Sequence, residues 1–349
     1  MKAEIISFTD HGAVLAQRLT EGLSRQGICC EAWVKKKDAV LLEGVQVLAA
    51  SLKEWTKKQF AEADVLIFIG AAGIAVRSIA AFVQSKKTDP AVLVADEQGK
   101  HVISLLSGHI GGANAMTRLT AGILGADPVI TTATDLHGKF AVDVFAARRG
   151  LFMDSMAYAR EIAAELVAGR RVGMRSAWPV FGPVPEELDR EGVPLAGFAV
   201  DVRAVQPFAH TLHLVPRITV LGIGCKKDTD GTHLRNIVLQ VLEEHRIYPE
   251  SVCRIVSIDL KKEEKGILAL AEYLKVPFIT CTSAELKQVK SEDGFAESEF
   301  VKSVTGVGNV CERAALLGAR TKRLLIPKTA REGVTVAAAV MNYMVCMED

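Results

Sequence analysis

The stretch "RITVLGIGCKKDTDGTHLRNIVLQVLEEH", Arg217 to His245, decides the fold class. An apolar, β-branched run passes into glycines, two lysines and turn residues. It then becomes a segment whose apolar positions recur every three and four residues. The order is strand, glycine loop, helix. It continues through "VPFITC" to "GVGNVCERAALLGA" and a final helix expected near Thr335–Met347. The first 135 residues alternate in the same way. Strands are expected at Glu4–Phe8, Val65–Ile69, Val92–Ala95, Val102–Leu105 and Pro128–Thr131, and helices at Gly12–Arg25, Leu52–Glu62, Ile74–Val83 and Ala113–Leu124. The turn residues of "DEQGKH" predict an antiparallel hairpin between the third and fourth of those strands. From about Gly138 to Val215 the pattern loosens, and "WPVFGPVPEELDREGVP" crowds prolines together. The expected fold is α/β: two α/β domains, 1–137 and 216–349, joined by a smaller, less regular middle domain at 138–215.

The 349 residues are 49% hydrophobic, enough to bury a core in more than one domain. Forty-two basic against 41 acidic residues leave a net charge of +1, which excludes the broad positive field of many nucleic-acid binders. Any anionic partner has to be held by local groups. Seven cysteines include no CxxC pair and no Cys/His spacing of a zinc site, so they read as reduced thiols of a cytoplasmic protein with no metal site. His210 and His213 do not share a face of a strand and are read as ordinary polar residues. "MKAEIISFTDHG" reads as a first strand, and no apolar run approaches the roughly 18 residues a membrane span requires. Neither a membrane nor a nucleic acid is expected as a partner.

Three glycine loops stand at apparent strand ends. "FIGAAGIAVRS" offers Gly70 and Gly73, and "LGIGCKKDTDG" offers Gly222 and Gly224 with Lys226 and Lys227 beside them. "TGVGNVCERAA" offers Gly306 and Gly308 with Asn309 and Glu312. Glycine lets backbone N–H groups approach an oxyanion, and a helix N-terminus adds partial positive charge, so these residues are candidates for holding phosphate or carboxylate. None completes a P-loop or GxGxxG, and the plainer role is a tight turn, with Glu312 capping its helix.

A fourth loop, "SLLSGHIGGAN", residues 104–114, gathers Ser107, His109 and Asn114 around Gly111 and Gly112. Histidine is poised for proton transfer near neutral pH, and glycine N–H groups with an amide can stabilise an oxyanion, which resembles an acyl-transfer site. No GxSxG elbow occurs, so His109 acting through water is preferred to Ser107 as nucleophile. The plainer alternative makes Ser107 a helix cap. Thr131 and Thr132 in "PVITTATD" follow a strand and are candidates for ligand contact or for capping the next helix from Asp135.

"SLLSGHIGGAN", "PVITTATD", "LGIGCKKDTDG" and "GVGNVCERAALLGA", in that order along nearly the whole chain, resemble the cobalt-precorrin-5A hydrolase family of the anaerobic cobalamin pathway. The resemblance implies that water opens the δ-lactone of cobalt-precorrin-5A and that a two-carbon unit leaves as acetaldehyde, giving cobalt-precorrin-5B. It implies no cofactor of the protein's own, since the cobalt is carried by the substrate, and it allows neighbouring pathway enzymes as partners. A ring rimmed by acetates and propionates would also explain several anion loops on a nearly neutral protein. Two other functions fit the residues less well: a nucleotide-dependent α/β enzyme, and a tetrapyrrole carrier without catalysis.

Overall fold

The computed structural model describes residues 1–39, 42–85, 88–108, 111–132, 139–292 and 294–348. They divide into two units, Met1–Val144 and Phe145–Asp349. In the first unit β1 (Lys2–Ser7), α1 (Asp10–Arg25), β2 (Cys29–Val34), β3 (Val45–Val47), α2 (Leu52–Glu62), β4 (Val65–Ile69) and α3 (Ala72–Ile79) are followed by β5 (Ala91–Ala95), β6 (His101–Leu106), α4 (Ala113–Leu124) and β7 (Asp127–Val129). The sheet order is β3-β2-β1-β4-β5-β6-β7.

Alternation along β4 builds this unit. Val65, Ile67 and Ile69 face one core with Leu15, Leu19 and Met116 of α1 and α4, while Leu66 and Phe68 face the other with Trp55, Phe60 and Ile79 of α2 and α3. A strand buried on both faces has no polar alternation, which is why β4 reads as one continuous apolar run. The start of α2 is fixed by a capping box in which Ser51 and Glu54 each satisfy the other's backbone N–H, worth about 1 kcal/mol. β5 and β6 form the expected hairpin, and β7 runs parallel to β6. The first five strands are mutually parallel, so β6 and β7 point the other way.

α5 (Val142–Arg148) crosses the division between the units. In the second unit it is followed by β8 (Phe152–Met153), α6 (Met156–Val167), β9 (Val172–Ser176), β10 (Val180–Phe181), β11 (Leu188–Asp189), β12 (Ala196–Val200) and β13 (His210–Val215). The region expected to be less regular thus holds a five-stranded sheet, β11-β9-β12-β13-β8, parallel except at β8. Its strands are short, and two carry a glycine, Gly173 and Gly197, which pair in register under the Phe208 ring. Glycine in a strand reads as a break in sequence, and here it is a seat for an aromatic ring.

The chain continues through β14 (Thr219–Cys225), α7 (Gly231–Glu244), β15 (Val252–Ile258), α8 (Lys265–Leu274), β16 (Phe278–Cys281), α9 (Ser283–Gln288), α10 (Glu299–Thr305), α11 (Cys311–Ala319), β17 (Leu324–Arg331), β18 (Val334–Val340) and β19 (Val345–Cys346). The sheet order is β16-β15-β14-β18-β17. The final helix expected near Thr335–Met347 is instead β18 and β19. The run "VTVAAAV" contains three alanines, good helix formers, yet it lies fully inside the sheet between β14 and β17. Close packing of α11 overrides the propensity: Ala337 and Ala339 share a core with Ala314 and Ala315, and a Cβ at Gly222 of β14 would stand 1.8 Å from the Cys311 carbonyl oxygen. Among the described residues no helix is long and apolar enough to cross a membrane.

An ion pair on a buried histidine ties β13 to the segment after β8. His213 of β13 is 5% exposed, with Nδ1 at 2.7 Å from Asp154 Oδ2 and Nε2 at 2.6 Å from the Val205 carbonyl. Both neighbours are acceptors, so both ring nitrogens donate and the ring is an imidazolium. Burial opposes that charge, but the bonds to Asp154 and Val205, with Asp201 nearby, outweigh it and raise the His213 pKa. Burial likewise opposes ionisation of Asp154, and the His213 and Tyr248 hydrogen bonds overcome it and hold that carboxyl below its usual range. A raised histidine stabilises fully below its unfolded pKa of about 6.5 and loses the contribution as pH rises through the folded value. A lowered aspartate stabilises above its unfolded pKa of about 3.9 and loses the contribution on acidification. The pair is therefore most stabilising between about pH 4 and 6.5. The urea midpoint of His213→Gln should fall furthest below wild type near pH 5.5, and the gap should narrow by pH 8.5. A gap independent of pH would mean that the ring is neutral.

Candidate active site

β6 ends at Leu106, and the chain turns at once. Ser107 has φ +58°, a left-handed conformation that costs a residue with a Cβ roughly 1 kcal/mol or more. Two bonds hold it there: Ser107 Oγ donates to the Asp89 carbonyl at 3.0 Å, and the Ser107 carbonyl accepts the Ala113 N–H at 3.1 Å. The Gly108 carbonyl accepts the Asn114 N–H at 2.9 Å. The loop thus folds back on the first turn of α4 and satisfies two of its N–H groups with its own carbonyls. Ser107 does not cap the helix with its side chain. The cap position is Gly112, at φ +81° and without a side-chain cap. A Cβ at Gly111 would come within 2.4 Å of the Ser107 Cβ, so only glycine fits.

Asn114 is 5% exposed. Its Oδ1 accepts from Ser104 Oγ and its Nδ2 donates to Thr132 Oγ1, both at 2.7 Å. From the first turn of α4 it therefore clamps the end of β6 to the segment after β7. Ser104, Ser107, Gly108, Gly111, Gly112, Asn114 and Thr132 form one cluster, with Thr131 exposed beside it. His109, Ile110, Thr134 and Asp135 lie outside the described residues, so the base proposed from sequence is placed only by its neighbours in the chain, Gly108 and Gly111. Sequence reasoning missed Ser104 and Asp89. Ser104, a polar residue inside the apolar run of β6, is the signal that was available.

The other glycine loops do not join this cluster. Gly70 lies at the carboxyl end of β4, where its N–H donates to the Ala95 carbonyl at 2.8 Å, and Gly73 sits beside it in α3. Because β6 and β7 run against β4 and β5, the Ser107 loop is at the opposite end of the sheet, about 13 to 17 Å away at ~3.3 Å per residue. Gly70 and Gly73 therefore stand at the other end of the sheet from the Ser107–Asn114 loop.

Two further expectations are corrected in the second unit. Gly222 and Gly224 lie within β14 and not in a loop. In the loop that follows, the Thr229 N–H is taken by the Glu264 carboxylate at 3.1 Å and the Asp230 side chain caps α7, which leaves the exposed Lys226 and Lys227 as its available groups for an anion. The third glycine loop follows a helix, α10, and not a strand. Asn309, 1% exposed, accepts the Glu312 N–H and donates to the Glu312 carboxylate and the Ala296 carbonyl. Glu312, 4% exposed, also accepts the Lys328 N–H at 2.7 Å. A Cβ at Gly308 would stand 1.8 Å from Glu297 Oε2, and Gly306 ends α10 at φ +79°. Glu312 thus ties α11 to β17, and Asn309 ties the loop to the segment before α10.

Comparison with known proteins agrees with the four motifs. Residues 54–135 match the family model described as "Cobalamin synthesis G N-terminal", and residues 219–339 match "Cobalamin synthesis G C-terminus". The cobalt-precorrin-5A hydrolase of Salmonella typhimurium is 38% identical over 97% of both chains. That of Priestia megaterium is 30% identical over 97% of this chain and 95% of its own. A solved cobalamin biosynthesis protein G homolog from Sulfolobus solfataricus covers 97% of both chains at 22% identity and a TM-score of 0.41. With two family models in order and near-full-length relatives at this identity, the chain belongs to the cobalt-precorrin-5A hydrolase family.

Proposed function

We propose that the chain hydrolyses the δ-lactone of cobalt-precorrin-5A, releases acetaldehyde and yields cobalt-precorrin-5B. The observation that carries this is the 38% identity, over 97% of both chains, to a cobalt-precorrin-5A hydrolase. Water adds to the lactone carbonyl, and the ring C–O bond breaks to leave a carboxyl group and an alkoxide. Collapse of the alkoxide to a carbonyl breaks the C–C bond and frees acetaldehyde, with the electron pair returning to the conjugated macrocycle. The reaction then needs no cofactor held by the protein. It does need a base for the water and donors for the tetrahedral oxyanion, and the Ser107–Asn114 loop is where we place both, with His109 as base.

The strained Ser107 backbone and the Asn114 clamp support this reading, because strain of this kind persists where the surroundings impose it and often marks a site. The free state of all seven cysteines supports a cytoplasmic setting. Incubation with cobalt-precorrin-5A and an assay for acetaldehyde tests the whole proposal. Binding of the corrinoid without acetaldehyde would make the protein a carrier.

Lys226 and Lys227 are assigned to peripheral carboxylates of the substrate. Exposed charges contribute up to about 1 kcal/mol each, so Lys226→Ala with Lys227→Ala should raise KM roughly 3- to 10-fold at low salt and leave kcat within about twofold. The effect should fade as ionic strength rises. An unchanged KM at low salt would remove these lysines from the site.

A further inference from the structure

β6 carries an irregularity just before the site loop. Along the β5–β6 hairpin Leu93 pairs with Ser104, but Val92 pairs with Leu106, so Leu105 is an extra residue. A bulge bends its strand and re-aims the side chains around it. Ser104 is thus the last position before the bulge, and Ser107 follows soon after at φ +58°. β6 and β7 run parallel, with Ile103 and Val129 as their last pair, and α4 connects them. Three residues past that pair stand Leu106 and Thr132, toward the carboxyl ends of the strands, where α/β units hold ligands.

Two hydroxyls and an amide cross this end in a row. Ser104 Oγ donates to Asn114 Oδ1, and Asn114 Nδ2 donates to Thr132 Oγ1, each at 2.7 Å. Both bonds run in the same sense, from Ser104 toward Thr132. Asn114 is 5% exposed, which closes its carboxamide off from a ligand, whereas Thr132 is half-buried. A hydroxyl has one proton, and that of Thr132 is not spent on Asn114. A hydroxyl that accepts an N–H also donates more strongly, because hydrogen bonds in a chain polarise one another.

We infer that Thr132 is a catalytic residue, donating its O–H to the oxyanion formed when water adds to the lactone carbonyl, and that Ser104 is the positioning residue that sets it through Asn114. The reaction needs such a donor, and the amide expected from sequence to supply it is engaged at both ends. Thr132 keeps its proton throughout, so no atom or electron moves beyond the steps already given. The part in lactone opening rests on the function proposed above. The direction of the hydrogen-bond chain does not.

That direction is read by NMR on the ¹⁵N-labelled full chain, in which Asn114 is one of four asparagines and its side-chain amide is assigned by its loss in Asn114→Asp. Thr132→Val should move this N–H resonance far more than Ser104→Ala, since it removes the acceptor of the N–H. The reverse order means that the amide is turned over with Thr132 donating inward, and it overturns the assignment. In kinetics, Thr132→Val should lower kcat about 100- to 1,000-fold with KM within about threefold, and Thr132→Ser should recover most of the loss. Ser104→Ala should lower kcat about 10- to 100-fold, and Ser104→Thr should restore it. Because Ser104 acts through Thr132, adding Ser104→Ala to Thr132→Val should cost less than about threefold more. Urea midpoints check folding, and Thr132→Ala takes the place of Thr132→Val if valine leaves the chain unfolded. A folded Thr132→Val with kcat within about threefold of wild type ends the donor role, and losses that multiply in the double variant end the relay from Ser104. Acetaldehyde release that ignores Thr132 ends this inference and leaves the proposed function standing. A Thr132-dependent Asn114 resonance in a chain that releases no acetaldehyde ends the proposed function and the donor role with it, and leaves only the hydrogen-bond chain.

Discussion

His109→Ala lowers acetaldehyde release from cobalt-precorrin-5A by roughly two to four orders of magnitude, the usual scale for a lost general base. The imidazole needs no large shift to accept a proton near neutral pH, whereas the nearest acid in the same stretch, Asp135, is normally a weak base there. Folding and corrinoid binding should survive, because the loop is held by contacts His109 does not make: Ser107 to Asp89, Ala113 to Ser107, Asn114 to Gly108. Ser107→Ala is the control. It deletes one hydrogen bond and should cost far less in turnover than His109→Ala. Near-normal acetaldehyde release from well-folded His109→Ala refutes the base assignment, and a covalent adduct on Ser107 replaces it with an acyl-enzyme route.

Asn114→Ala is the second large effect, with turnover expected to fall about 100- to 1,000-fold. From sequence its amide is expected to face the oxyanion. In the structure the carboxamide is turned onto Ser104 and Thr132, so its leading part is to position the loop. Truncation strands two hydroxyls and should also lower stability by about 1–3 kcal/mol. Asn114→Asp separates the two losses. It keeps an acceptor for Ser104 but no donor for Thr132, so the urea midpoint should recover in part while kcat stays low. Wild-type kcat in Asn114→Ala would end both roles.

Much of the fold was legible, and particular residues show why. Val65–Ile69, Leu52–Glu62 and Ala113–Leu124 are found where periodicity places them, because each is bounded by a turn or cap written in the local sequence. β2 and β3 were missed. "CCEAWV" is an edge-side strand without a clean apolar run, and "VQV" is too short to show a period. β18 was missed because three alanines favour a helix locally and only the approach of α11 makes them a strand. At the site, the glycines around Ser107 were legible as a tight loop. Its position was not taken from the sequence, though "DEQGKH" reverses β6 and so carries everything after it to the far end of the sheet. The C-terminal glycines misled for one reason: a glycine that admits a ligand and a glycine that admits a neighbouring backbone look the same in one dimension.

The Phe208 ring over Gly173 and Gly197 limits how this sequence can drift. The three atoms nearest a Cβ at 173 all belong to that ring, the first at 2.2 Å, whereas a Cβ at 197 would also meet the Gly173 carbonyl oxygen at 2.6 Å. Position 197 is therefore closed to every side chain whatever stands at 208, unless the strands themselves part. Positions 173 and 208 share a single allotment of volume, and an alanine at one becomes tolerable only after a smaller residue at the other. The order of the two substitutions matters: shrinking Phe208 first leaves a cavity costing about 3–5 kcal/mol that the alanine then fills in part, while the reverse order begins with a clash. A lineage crossing between the two pairings passes through the cavity.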